Sequence, residues 1–104
     1  MNFIKLNIKS KTQKYPIIIG SSLISNVSKI AKDNSVNFNQ CLLVVDKNIS
    51  KKIILKIKRS LTNKNVYIHY FKANEINKNM KNVNKILDIL LYKNFSREDC
   101  LISI

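Results

Sequence analysis

The sequence predicts an α/β fold in which a parallel sheet lies between layers of helix and a β-hairpin precedes it. Three observations carry that expectation. The run Cys41-Leu42-Leu43-Val44-Val45 is apolar at every position, the mark of a central strand covered on both faces. Segments with helical spacing of apolar residues stand before and after it, so strands and helices alternate and the connections become crossovers between parallel strands. Ahead of them, two short segments with strand character flank a polar turn.

Each element follows from its residues. Ile4, Leu6 and Ile8 alternate with Lys5, Asn7 and Lys9, which predicts a half-buried strand. Ser10 to Gln13 form the turn, and Tyr15-Pro16-Ile17-Ile18-Ile19 the return strand, with Pro16 marking a sheet edge because proline donates nothing to a ladder. Gly20, the only glycine, ends the hairpin. Ser21 or Ser22 is placed to cap a helix bearing Leu23, Ile24, Val27, Ile30 and Ala31. A polar loop, 33–40, leads to the central strand. Asp46-Lys47-Asn48 makes a turn, Ser50 caps a helix carrying Ile53, Ile54, Ile57 and Leu61, and Asn63-Lys64-Asn65 breaks it. Val66 to Phe71 is rich in β-branched and aromatic residues and reads as the next strand. A loop from Lys72 leads into a long helix with Met80, Val83, Leu87, Leu90 and Leu91, and residues 92–97 connect it to a last strand, 99–104. The organisation is a hairpin over 1–20 and alternating helix and strand over 21–104. The sequence stops inside the apolar run Leu101-Ile102-Ser103-Ile104. A strand edge without a continuation implies an incomplete domain, with exposed apolar surface and a tendency to associate.

Composition narrows the class. The formal net charge is +13, yet lysine, isoleucine and asparagine number 17, 17 and 15 against two arginines. All three have AT-rich codons, and the lysines are spread along the chain rather than gathered into the patch or stripe of a nucleic-acid interface. No specific nucleic-acid partner is therefore expected, although the charge keeps a small basic binding module as the alternative from a different class. Hydrophobic residues make up 45% of the chain, which supports a packed core. No apolar run approaches the roughly 20 residues of a membrane helix. The opening residues, Met1 to Ile8, alternate in polarity and do not form a signal peptide, so a cytoplasmic location is expected. Cys41 and Cys100 each open a predicted strand and read as reduced, buried small hydrophobes, and with His69 the only histidine there is no ligand set for a metal.

Chemistry is expected at the carboxyl ends of the parallel strands, where open α/β sheets hold their ligands. Asp46 follows the buried strand directly; it is either a ribose-binding acid or an ordinary turn-former with Asn48. Glu75 and Lys78, three apart, read either as a first-turn helix pair or as a polar pair reaching a nucleotide from a strand-end loop. His69 lies within a strand and reads as a packed or surface residue. Nothing supplies a nucleophile triad, paired carboxylates or a glycine-rich phosphate loop, so no catalytic residue is assigned.

In this order the residues resemble the N-terminal part of the 3-dehydroquinate synthase family, over essentially all 104 residues. The resemblance rests on the hairpin with Tyr15-Pro16-Ile17-Ile18-Ile19-Gly20-Ser21 and on the strand ending Val44-Val45-Asp46-Lys47-Asn48. It also rests on Phe71-Lys72-Ala73-Asn74-Glu75-Ile76-Asn77-Lys78 before a helix, and on a closing strand of the Asp99 to Ile104 type. It implies a Rossmann-like NAD-binding domain, a second domain holding a divalent metal (zinc or cobalt), and a homodimeric enzyme. That enzyme converts the small-molecule substrate 3-deoxy-D-arabino-heptulosonate 7-phosphate to 3-dehydroquinate and phosphate in the shikimate pathway. Asp46, Asn48, Glu75 and Lys78 would then meet NAD, the acids at ribose hydroxyls and the ammonium near the phosphates. A related metal-dependent alcohol or glycerol dehydrogenase is the nearer alternative. The sequence departs from the family pattern where Lys72-Ala73-Asn74 replaces Pro-Asp-Gly, with Asn74 expected to take the positive φ of the glycine, and where Asn79 replaces serine or threonine. The family's glycine-rich loop would begin after Ile104 and its metal and substrate ligands lie further on. The chain is therefore expected to be a truncated or partial sequence, inactive alone.

Overall fold

The computed structural model describes residues 3–104; residues 1 and 2, with which the expected hairpin segment of 1–20 begins, lie outside the described residues. The hairpin consists of β1 (Phe3–Lys9) and β2 (Lys14–Gly20). There follow a short 3-10 turn, Ile24–Asn26, and then α1 (Val27–Asp33), β3 (Gln40–Asp46), α2 (Lys51–Ser60), β4 (Asn65–Phe71), α3 (Met80–Tyr92) and β5 (Cys100–Ser103). β1 and β2 pair antiparallel with Leu6 opposite Ile17 and Asn7 opposite Pro16. The other three strands form a separate parallel sheet in the order β4-β3-β5. The expected α/β class, with hairpin and parallel sheet, is the observed one.

β3 is central because it is the one strand that buries both faces. Cys41, Leu42, Leu43 and Val45 are fully buried and Val44 nearly so. Cys41, Leu43 and Val45 share one face and pack with Phe38, Ile54, Ile57 and Leu61 against α1 and α2. Leu42 and Val44 point to the other face, where α3 lies. There Tyr67 meets Phe95 with ring centroids 6.0 Å apart, and Lys93 sits 4.8 Å from the Tyr67 centroid. The two layers are unequal. α2 buries Ile54 and Ile57, whereas α3 buries no residue completely. The hairpin also leaves apolar surface open, since alternation puts Ile4, Leu6, Tyr15, Ile17 and Ile19 on one exposed face.

The helix ends show what local sequence specifies. Ser50 caps α2 as expected, its Oγ accepting from the Lys52 amide at 3.3 Å. Ser50→Ala should lower stability by about 1 kcal/mol, read as a shifted denaturant midpoint with unchanged slope. The first helix departs from expectation: neither Ser21 nor Ser22 caps it. Ser22 takes φ 59°, and its carbonyl accepts from the Asn26 side chain at 2.7 Å, so the chain turns there and begins with a 3-10 turn. The Ser28 amide in the first turn of α1 is instead satisfied by the Ser60 hydroxyl at the end of α2, 2.9 Å away.

The last strand is shorter than expected because Asp99 is engaged in the preceding turn. Its Oδ2 accepts from the Ser96 amide at 2.8 Å and from Gln40 Nε2 at 2.9 Å. Those bonds, the Gln40 one foremost, hold its carboxyl below the usual range. Ladder bonds nevertheless continue past β5, from the Ile104 amide to Val44 and from the Asp46 amide to Ile104.

Both cysteines are free. Burial, with a smaller contribution from Cys100, pushes the Cys41 thiol up to about 11 from 9.0. The folded chain therefore holds this proton more tightly than the unfolded chain. Stability from the neutral thiol is complete below pH 9 and is lost as pH rises toward 11. An alkaline unfolding series should show this loss, and Cys41→Val should flatten it.

Candidate functional site

The parallel register brings three strand ends to one level. Asp46 of β3 pairs with Phe71 of β4, and Ile104 lies beside them on the other flank. This edge carries the two loops that follow β3 and β4, residues 47–50 and 72–79. They are joined: the Lys47 amide donates to the Phe71 carbonyl at 2.9 Å, and the Ala73 amide approaches Asp46 Oδ1 at 3.5 Å.

Asp46 organises the first loop. Its Oδ1 also accepts from the Asn48 amide at 3.1 Å, the bond of an Asx turn. Asp46 is half-buried and Asn48 is exposed. The turn-forming role considered from sequence is therefore present. It uses Oδ1, and no described side chain hydrogen-bonds Oδ2.

The second loop is held by asparagines. Asn74 Oδ1 accepts from the Asn77 amide at 2.8 Å, and Asn77 Nδ2 donates to the Lys72 carbonyl at 2.7 Å. Asn82 Nδ2 reaches back to the Asn77 carbonyl at 2.7 Å, while Asn79 caps α3 by accepting from the Asn82 amide at 3.0 Å. Two expectations are corrected here. Asn74 does not take positive φ; Ser22, Ser35 and Asn94 are the non-glycine residues that do among those described. Its side chain closes the turn instead, so no left-handed residue is needed. Nor do Glu75 and Lys78 lie in the first turn of the long helix, because α3 begins at Met80 after the Asn79 cap. They stand in the turn before it, with Lys78 Nζ 3.1 Å from Glu75 Oε1 and side chains 70% and 88% exposed. An ion pair this open adds little to stability and leaves both groups free to turn toward a ligand. Glu75→Ala is expected to leave the thermal midpoint unchanged, and a clear drop would assign the residue to the fold.

Between α3 and the carboxyl half of β4 runs a groove of about 510 Å³, lined by His69, Phe71, Lys78, Met80, Val83 and Ile86. Its size falls within the range of roughly 300–1,000 Å³ typical of small-molecule sites. It exists because α3 packs loosely on this face. An adjoining recess of about 220 Å³ brings Lys47, Lys72 and Lys85 around His69 and Phe71. An apolar floor with a lysine rim suits a flat ring bearing phosphate. His69, read from sequence as packed or surface, lines both. Lys85 and Asn82 gave no warning, since only the fold of the 72–79 loop brings them to the strand ends. No group of three potential metal-ligating side chains is found among the described residues.

No protein-family model matches the chain. Over all 104 residues it is 53% identical to a 3-dehydroquinate synthase from Pelagibacter ubique (strain HTCC1062), and it spans 28% of that protein's length. Two solved structures of 2-deoxy-scyllo-inosose synthase superpose with TM-scores of 0.79 and 0.78, each at 14% identity over 94% of this chain. The chain covers 28% and 26% of those structures, the second of which is complexed with carbaglucose-6-phosphate, NAD+ and Co2+. At that identity the likeness is one of fold.

Proposed function

We infer that the chain belongs to the 3-dehydroquinate synthase family and is the N-terminal NAD-binding segment of such an enzyme, its residues 1–104 forming part of a dinucleotide-binding domain. The identity of 53% over all 104 residues of this chain carries the reading. It favours the synthase over a metal-dependent alcohol or glycerol dehydrogenase. The full enzyme would be a carbon-oxygen lyase acting on 3-deoxy-D-arabino-heptulosonate 7-phosphate to give 3-dehydroquinate and phosphate, cytoplasmic and homodimeric, without a specific nucleic-acid partner. Among the described residues no helix is long and apolar enough to cross a membrane.

The residues at the strand ends fit the adenosine side of a dinucleotide. Asp46 keeps one carboxylate oxygen in its turn and has a second to accept from vicinal ribose hydroxyls. Asn48 presents an amide beside it. Glu75 can leave Lys78 to accept from a hydroxyl, which frees the Lys78 ammonium for a phosphate oxygen. Bound NAD would supply reversible hydride acceptance, and this segment's part is to bind and orient it. The divalent metal would be held elsewhere in the longer protein, because the described residues offer no ligand cluster for it. Asp46, Asn48, Glu75 and Lys78 therefore act as binding residues, and no chemical step is assigned to them.

The test is an NAD+ titration of the labelled chain followed by amide NMR. Shifts concentrated in residues 46–48 and 72–79 are expected, and ADP should reproduce most of them. Shifts scattered over the lysine-rich surface, or equal effects from any polyanion, would overturn the assignment. A nucleic-acid module would instead give tight, sequence-selective binding at physiological salt.

A further inference from the structure

We propose that Cys41 and Cys100 form a reversible disulfide across the β3–β5 pair, closed by exchange with a low-molecular-weight disulfide. This concerns residues outside the cofactor reading and does not depend on it. The two cysteines are register partners on adjacent parallel strands. Such strands lie about 4.8 Å apart, inside the window of roughly 4.4–6.8 Å between Cα atoms that a disulfide spans. Register partners point to the same face, and both side chains pack into the same apolar cluster. Cys100 is also near enough for its charge to oppose ionisation of Cys41. Both are free thiols.

The pair is asymmetric in a way that gives each thiol a role. Cys41 is 0% exposed. Cys100 is only partly buried and lines an open apolar groove of about 330 Å³ with Ile18, Leu23, Val27 and Ala31. It also opens β5, a four-residue strand paired with β3. Cys100 is therefore the entry thiol and Cys41 the resolving thiol.

The exchange balances. The Cys100 thiolate attacks one sulfur of the small disulfide and expels one small thiolate, leaving a mixed disulfide. The Cys41 thiolate then attacks Cys100 Sγ and expels the second. Two protein thiols are oxidised, the small disulfide is reduced by two electrons, and the protons of Cys41 and Cys100 finish on the two expelled thiols. Burial holds both thiols above their usual range, which makes the exchange slow at neutral pH and faster in mild alkali. In a reducing compartment the pair rests as a dithiol and closes under oxidising conditions. The closed ring encloses α2, β4 and α3, and with them Asp46, Asn48, Glu75 and Lys78.

The experiment treats the native chain with glutathione disulfide at pH 8.5 and follows intact mass and non-reducing peptide maps. The expected product is a monomer lighter by two hydrogen atoms, with the Cys41 and Cys100 peptides linked, a raised thermal midpoint, and full reversal by dithiothreitol. Cys41→Ser should stop at a stable glutathione adduct on Cys100, and Cys100→Ser should barely react. A persistent adduct on wild-type chain, a disulfide-linked dimer, or crosslinking seen only after denaturation would each overturn the proposal. The peptide map of wild-type protein decides the matter even if a serine variant fails to fold.

Discussion

Leu43→Ala is expected to cost about 3 kcal/mol of stability, the largest single effect that the fold predicts. Leu43 is fully buried in the middle of β3, and its face packs on Ile54, Ile57 and Leu61. The cost has two parts, the lost transfer of the removed carbons out of water and the cavity left where α2 cannot follow. Strands on both sides of β3 limit collapse, since Leu43 pairs with Ile68 on one flank and Ile102 on the other. The same substitution at Leu87, exposed on α3, should change little. Urea denaturation of the two variants checks the contrast. Similar midpoints would mean that β3 is not the centre of the core.

Asp46→Asn should weaken NAD+ binding by ten- to a hundredfold while leaving the fold intact. Asparagine keeps an oxygen that accepts from the Asn48 and Ala73 amides, so the turn survives. The substitution removes the charge and turns the second oxygen from an acceptor into a donor. Hydrogen bonds to charged groups contribute roughly 1.5–3 kcal/mol, which corresponds to the stated range. Calorimetric titration with NAD+ reads the binding, and the denaturant midpoint controls for structure. Equal affinity in variant and wild type would remove Asp46 from the site and leave it as a turn residue.

Much of the fold was legible because each layer has a local signature. The unbroken apolar run at Cys41 to Val45 identified the central strand, and Ser50 announced its helix. The misreadings arose where a side chain supplies a backbone partner that the pattern of residue types does not specify, once from far along the chain and once within a single turn. Serine near the start of the first helix suggested a cap, yet the bond came from Ser60, whose partner no local pattern reveals. Asn74 stood where a glycine was expected, and its side chain built the turn by accepting from Asn77 rather than by a left-handed backbone. For the site, the strand-end positions of Asp46 and Asn48 follow from topology. The lysines around His69 do not, because their sequence spacing is that of a chain with lysine everywhere.

The Ser60 bond to the Ser28 amide bears on the order in which the chain assembles. α1 is only seven residues long, and no side chain of its own caps its N-terminus. A helix that short is marginal by itself. It gains its missing partner only once α2 has formed to its last residue and docked beside it. Hydrogen exchange should therefore find the amides of α1 less protected than those of α2, and Ser60→Ala should release the former first. The first helix in sequence is thus expected to be among the last to become secure.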